Sequence, residues 1–350
     1  MKTLDFRSDA VTRPGPEMRA AMAAAEVGDD VLDHDPTVDR LEREVAERLD
    51  LEAGLWTPTG CMANLVALLL HLQRGDRFLA PARAHVLDAE LGTGAWLAGG
   101  VPEALPWEAG PGRISPRQVW REAGVPGSCC ALRTTLLCLE NTHTWAGGVC
   151  VPVEEHRALV EQARATGLRV HLDGARLWHA AAALGEPPAA LAWGVDTVAV
   201  CLSKGLGAPM GSVLCADRDT VARARRVRRM LGGGVRQSGV VAAAGLVALD
   251  YLPRLAEDHA KARHLAERLR DMGFTAPVPQ TNILLVPVPD AVAAAAILEE
   301  ARVRALPVGN CLRFITHRDL GEEDVAEAAE RIRPMAGRLV TTWEGDRPMV

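Results

Sequence analysis

The chain has 350 residues, 24% charged and 48% hydrophobic, with a formal net charge of -6, which is length enough for one large core plus a smaller unit. The acidic balance argues against nucleic acid or an anionic membrane as the main partner, and no apolar run, 65–72 included, is long enough to span a bilayer. The N-terminus, MKTLDFRSDA, lacks the basic-then-apolar layout of a secretory signal, so the expected location is the cytoplasm.

Arg7-Ser8-Asp9 opens the chain in an extended polar segment. A helix is predicted over 16–26, with proline in its first turn where a missing N–H does no harm, and Gly28-Asp29-Asp30 ends it. Asp35-Pro36 caps a second helix, on which Val38, Leu41, Val45 and Leu49 share one apolar face. Thr57-Pro58-Thr59-Gly60-Cys61 then precedes a strongly apolar helix over 61–72. A hydroxyl and a glycine at a helix N-terminus suit a phosphate, although the same residues also serve as a plain cap. A strand over 77–80 leads to His85 and a small-residue helix over 86–98; a lone histidine at such a junction is more often a cap or surface residue than a catalyst. Gly110–Arg113 reads as a linker, and Ser115-Pro116 starts a short helix. TTLLCLE (134–140) is a buried strand that runs into the polar loop 141–148, which holds His143. An amphipathic helix over 154–166 stops at Gly167, and LRVHLD (168–173) is the next buried strand.

The stretch 196–215 reads as a buried strand (197–202), a Gly- and Pro-rich turn and a second strand (212–215). After it, 223–229 reads RARRVRR, five arginines in seven positions without interleaved aromatics, which suits an anion contact or a solvated face better than nucleic acid. Gly232-Gly233-Gly234 interrupts that helix. From about Asp250 the pattern changes to a charged helix (255–272), a strand (282–287), a helix (291–302) and a strand (311–316) holding Arg313. The chain thus divides into a large unit, 1–249, and a small C-terminal α/β unit, 250–350, with a polar, loose tail beyond Leu339. Eight cysteines occur without a C-x-x-C pair, so no disulfide frame and no metal site is indicated, and Cys138, Cys201 and Cys215 read as small core residues.

Lys204, just past a buried strand, is the informative residue. Burying an ammonium is costly unless it is paired or loses its proton. It either snorkels to the surface or serves as an amine that forms a Schiff base with a carbonyl. Asp173 lies thirty-one residues earlier at the end of another buried strand, an interval of about one helix plus one strand. Parallel neighbours would put both at the carboxyl edge of one sheet, where ligands bind. A carboxylate facing a pyridine nitrogen and a lysine facing an aldehyde are the two fixed partners of pyridoxal phosphate. A nicotinamide-binding reading fails for want of a G-x-G-x-x-G turn after an early strand.

Six segments taken together, FRSDAVTRP (6–14), EVGDDVLDHDPT (26–37), ENTHTWAGG (140–148), HLDGARLWHA (171–180), CLSKGLGAPMGS (201–212) and MLGGGVRQSG (230–239), resemble the L-threonine aldolase family over nearly the whole chain. The resemblance implies an α/β chain of pyridoxal-phosphate fold type I, aspartate aminotransferase-like, with a mostly parallel sheet. It implies reversible cleavage of L-threonine, L-allo-threonine and related β-hydroxy-α-amino acids to glycine and an aldehyde. Lys204 would carry the cofactor and Asp173 would keep its ring nitrogen protonated. His85 would stack on the ring, and Thr59, Gly60 and Cys61 would take the phosphate with Arg229 or Arg236 from another subunit. Ser8, Arg176 and Arg313 would bind the substrate carboxylate, Arg176 also lying beside the cofactor, and His85 and His143 would handle the β-hydroxyl proton. A homotetramer, a dimer of dimers with shared sites, is the implied assembly. Three positions depart from the family's habit: Cys61 replaces a hydroxyl residue, Arg229 a lysine, and Leu32 a tyrosine. Racemisation, β-elimination and transamination would use the same electron sink, and a silent scaffold binding an anion through 223–229 is the alternative from outside enzymology.

Overall fold

The computed structural model describes residues 1–124 and 130–340; the tail expected to be loose lies outside them, apart from Val340. Seven strands form the main sheet in the order Ala53–Thr57, Ser212–Ala216, Thr197–Cys201, Arg169–Gly174, Thr134–Glu140, Arg77–Pro81, Val101–Leu105. All run parallel except Ser212–Ala216, which is antiparallel to both neighbours. The central strands are apolar along their whole length because helices cover both faces: Val170, Leu172, Val198 and Val200 are fully buried. Three antiparallel strands, Leu306–Val308, Cys311–Ile315 and Ile283–Pro287, form a second sheet. Leu4–Asp5 pairs in parallel with Val303–Arg304, and Leu4 and Phe6 pack into the same apolar cluster as Leu284, Leu312 and Phe314. No single described helix is long and apolar enough to cross a membrane.

Most predicted elements are present, with ends shifted by one to three residues. The first helix is Pro16–Ala23. The second is Pro36–Arg48, and its four expected apolar residues are buried. Asp35 caps it, Oδ1 accepting from the Thr37 and Val38 N–H groups at 3.1 and 3.2 Å, while Oδ2 accepts from Gly239 N at 2.9 Å. The predicted helix over 86–98 is a correction. Leu91 and Gly92 adopt left-handed φ values of 54° and 72°, splitting it into single turns at His85–Asp88 and Thr93–Trp96. Gly92 and Gly94 lower the helix propensity there. The strands Val101–Leu105, Val303–Arg304 and Leu306–Val308 and the helix Glu322–Ile332 were not anticipated; the first is an edge strand with a proline in it, which hides the strand signal.

The arginine-rich run is also corrected. It lies on Arg218–Met230, and two of its arginines are inward ion-pair partners instead of a solvated face. Arg228, 1% exposed, donates to Asp30 Oδ2 at 2.6 Å and to the Trp56 carbonyl at 2.8 Å. Arg225 donates to Glu42 Oε2 at 2.6 Å, and the Trp56 N–H donates to Glu42 Oε1 at 2.7 Å. Burial nevertheless outweighs those partners and pushes the Glu42 carboxyl up to about 7. A carboxyl raised in the folded state favours folding while protonated and loses that contribution as pH rises through its folded value. The wild type is therefore expected to lose stability relative to Glu42→Gln as pH rises from about 4.5 to about 7. Urea unfolding at matched protein concentration checks this, and parallel pH profiles for the two proteins would refute it.

Candidate active site

The carboxyl ends of the adjacent parallel strands Arg169–Gly174 and Thr197–Cys201, with residues that follow Ala53–Thr57 and Arg77–Pro81, line one cleft of about 280 Å³. Asp173 is in register with Ala199 on the neighbouring strand, and Lys204 follows that strand by three residues, so both reach the cleft wall as the thirty-one-residue interval predicts. Thr59, Gly60, Cys61 and His85 line the same cleft.

Asp173 is 3% exposed. Its Oδ1 accepts from Ala175 N at 3.0 Å and its Oδ2 from Asn64 Nδ2 at 2.8 Å. Burial alone would raise this carboxyl, but the charges of His85 and Lys204, with the Ala175 N–H, outweigh it and hold Asp173 below its ordinary value. Asn64 also donates to Glu90 Oε1 at 2.7 Å and meets His171 Nε2 through its Oδ1 at 3.1 Å. His171 continues to Thr197 Oγ1 at 2.9 Å. Glu90 Oε1 lies 2.8 Å from His85 Nδ1. Burial raises the Glu90 carboxyl; for His85, the desolvation that would lower it is outweighed by Glu90 and Asp173, which raise it. In a continuous helix His85 and Glu90, five residues apart, would point to different faces. The helical turn ends at Asp88, so Glu90 is not bound to a helix face and its carboxylate meets the imidazole.

The phosphate-type loop sits at the N-terminus of Gly60–His71. Thr59 Oγ1 accepts from Met62 N at 3.1 Å, and the Ala63 N–H is taken by the Thr59 carbonyl, which leaves the Gly60 and Cys61 N–H groups without an intrahelical acceptor. A Cβ at residue 60 would lie 2.8 Å from Cys201 Sγ, so only glycine lets this helix end approach the strand so closely. Two backbone donors on a helix dipole, a buried ionised carboxylate and a lysine on the same cleft fit a pyridine aldehyde that bears a phosphate. Burial, then Glu90's charge, pushes the Cys61 thiol up to about 11.

A second polar group lies at the N-terminal segment. Arg176 donates to Asp9 through Nε at 2.8 Å and Nη2 at 2.6 Å, and to Thr144 Oγ1 at 3.0 Å. Asn282 Nδ2 donates to Asp9 as well, at 3.2 Å. Arg176 is thus committed to Asp9 more than to a ligand. Burial alone would raise Asp9, but the Arg176 guanidinium overrides it and holds the carboxyl far below its ordinary range. Arg313 is different. It lies over the Trp145 ring at 4.8 Å and donates to the Arg7 carbonyl at 3.1 Å, while its Nε, buried, has no partner among the described residues. Burial, then the positive charge of Arg176, lowers it to about 10, the signature of a guanidinium that lacks an anion. Ser8 Oγ accepts from Ala10 N at 3.1 Å.

His143 does not line the cleft. It is fully buried, edge-on to Trp107 at 5.3 Å, with Nε2 3.2 Å from the Ala82 carbonyl and Nδ1 unpartnered among the described residues. Arg229 and Arg236 lie outside the cleft of their own chain, and Arg236 pairs with Asp29 at 2.9 Å. Asn64, Glu90 and Asp9 are functional candidates that sequence reasoning missed. The interval from Gly60 to Asn64, one helical turn on an otherwise apolar helix, was the available signal for the first.

Replacing Asn64 by leucine leaves two buried carboxylate oxygens without their amide donor. Asn64→Leu is expected to cost roughly 2–3 kcal/mol of stability, read from urea unfolding; a loss below about 0.5 kcal/mol would show that Asn64 does not hold this network.

A family model described as beta-eliminating lyase matches residues 5–291. The chain is 41% identical over 337 residues to the low specificity L-threonine aldolase of Escherichia coli O157:H7, covering 96% of this chain and 100% of that protein. It is 44% identical over 275 residues to low-specificity L-threonine aldolase 1 of Arabidopsis thaliana, covering 78% and 76%. Among solved structures, a threonine aldolase of Leishmania major aligns with a TM-score of 0.81 at 19% identity, over 95% of this chain and 99% of that one. An aspartate aminotransferase of Thermus thermophilus aligns with a TM-score of 0.71 at 18% identity, over 94% and 90%. These last two establish the fold, that of the pyridoxal-phosphate enzymes of fold type I. The chain belongs to the beta-eliminating lyase family and, within it, to the low-specificity L-threonine aldolases.

Proposed function

We propose that the chain cleaves L-threonine, L-allo-threonine and related β-hydroxy-α-amino acids reversibly to glycine and an aldehyde, acetaldehyde in the case of threonine, with pyridoxal phosphate as cofactor. The observation that carries this is the pairing of Lys204 with buried Asp173 on adjacent parallel strands, opposite His85 and beside a phosphate-type helix end. When bound, the cofactor supplies an aldehyde that condenses with a primary amine and a ring that takes up the electron pair released at Cα.

The rest falls to the chain's own residues. Lys204 is the residue whose Nζ would hold the cofactor through its aldehyde, as an amine that the substrate's own amine could replace. Asp173, kept ionised by its neighbours, holds a proton on the facing ring nitrogen. The Gly60 and Cys61 N–H groups and Thr59 hold the phosphate, with Arg229 or Arg236 reaching it from a neighbouring subunit of a homotetramer. Arg313, with Ser8, receives the substrate carboxylate, and Arg176 holds Asp9 so that this carboxylate does not repel it. His85 is the imidazole that lines the cleft and so takes up the β-hydroxyl proton, directly or through a water; His143 acts only through a water. The division into units 1–249 and 250–350 places Arg313 on the smaller one and Lys204 on the larger. We assign the protein to the cytoplasm.

Aldehyde release from L-threonine and L-allo-threonine with added cofactor tests the reaction. Lys204→Ala is expected to lose release by at least about a thousandfold while keeping the wild-type circular dichroism. A yellow wild type that releases no aldehyde would sink the cleavage and leave elimination or another chemistry of the same cofactor. Arg313→Ala should raise KM for L-threonine by about ten- to a hundredfold, the range of a charge-assisted hydrogen bond; an unchanged KM would remove Arg313 from the carboxylate site.

A further inference from the structure

Cys61 stands where the phosphate loop of the family usually carries a hydroxyl, and the fold places it beside two other metal-binding groups. One ligand atom each from Cys61, His85 and Glu90 lies within 4.8 Å of the other two. A tetrahedral Zn²⁺ holds sulfur at about 2.3 Å and nitrogen or oxygen at about 2.0–2.2 Å, so its ligand atoms sit roughly 3.5 Å apart. Ion binding would have to draw the three groups together by side-chain rotation. Glu90 is 3% exposed, and its Oε2 has no hydrogen-bond partner among the described residues, whereas Oε1 is held by Asn64 at 2.7 Å. One carboxylate oxygen is thus fixed and the other left over, as a monodentate ligand held by a neighbour requires.

We propose that the cofactor-free protein binds one thiophilic divalent cation of the Zn²⁺ type through Cys61, His85 and Glu90, with water in the fourth position, and that this ion blocks cofactor loading. The inference rests on the reading of the cleft given above. The Cys61 thiol proton and any proton on Glu90 or on the ligating nitrogen of His85 leave to solvent as the metal bonds form, and the His85–Glu90 hydrogen bond gives way to them. Competition follows from shared residues. Cys61 belongs to the phosphate loop and His85 to the ring face, so neither can serve ion and cofactor together. Cys61 is exposed to the cleft, and Cys138, Cys150, Cys201, Cys215 and Cys311 are buried. Among the described residues, Cys130 is the other exposed cysteine and thus the control.

The experiment titrates cofactor-free protein with Co²⁺, reading the thiolate-to-metal charge-transfer band, and then measures loading of pyridoxal phosphate by its visible absorbance with and without Zn²⁺. One equivalent should give the band. It should vanish in Cys61→Ser, weaken at least about tenfold in affinity in Glu90→Gln, and persist in Cys130→Ser. Zn²⁺ should raise the cofactor concentration for half-loading at least about tenfold in the wild type and leave it unchanged in Cys61→Ser. No band, a band retained in Cys61→Ser, indifference to Glu90→Gln, or loading insensitive to Zn²⁺ would each overturn the proposal. Normal loading in metal-free buffer without a Co²⁺ band sinks the metal site alone; failure to load even there sinks the reading of the cleft, and the competition with it.

Discussion

A carboxylate buried to 3% exposure that must stay ionised is the constraint on which this site depends. Water cannot stabilise it there, so the protein must. The Ala175 N–H, the Asn64 amide and the charges of His85 and Lys204 share that task. Two of those groups are held in turn: His85 by Glu90, and Asn64 by His171, which is itself held by Thr197. The chain of partners links two strands, one helix and a broken turn. It explains why an apolar helix such as Gly60–His71 carries an asparagine on its inner face.

The same logic organises the opposite wall. Arg176 and Arg313 place two like charges close together, and Asp9 neutralises only the first. The unmatched charge of Arg313 is the observation behind its proposed role as receiver of the substrate carboxylate, since an anionic ligand would complete that balance. Asp9 is held by Arg176 and Asn282 and is thereby prevented from filling that role itself.

Much of the architecture was legible because the central strands are continuous apolar runs ending in polar residues, TTLLCLE and LRVHLD above all. Their ends identified Asp173 and Lys204, and the interval between them predicted the parallel neighbours that the sheet contains. What stayed hidden was chosen by tertiary geometry. Glu90 reads as a surface residue of a helix that in fact breaks beside it, and Arg228 reads as part of a basic stripe although it is buried on Asp30. The absence of a C-x-x-C pair says nothing about ligands such as Cys61, His85 and Glu90, which no fixed spacing joins. Arg176 matches a carboxylate-binding pattern in sequence, yet its partner Asp9 lies 167 residues away.

The segment at residues 4–9 makes one further demand on this molecule. Leu4–Asp5 pairs with Val303–Arg304, and Asp9 is fixed by Arg176 and by Asn282. The strand pairing and the Asn282 contact join parts of the chain 273 residues or more apart, and forming them early would cost the full entropy of closing that loop. During synthesis, residues 4–9 must therefore wait until most of the chain has emerged, with Leu4 and Phe6 exposed meanwhile. The contacts that Asn282 and Arg313 make with this segment can therefore form only after the strands that carry or flank them exist.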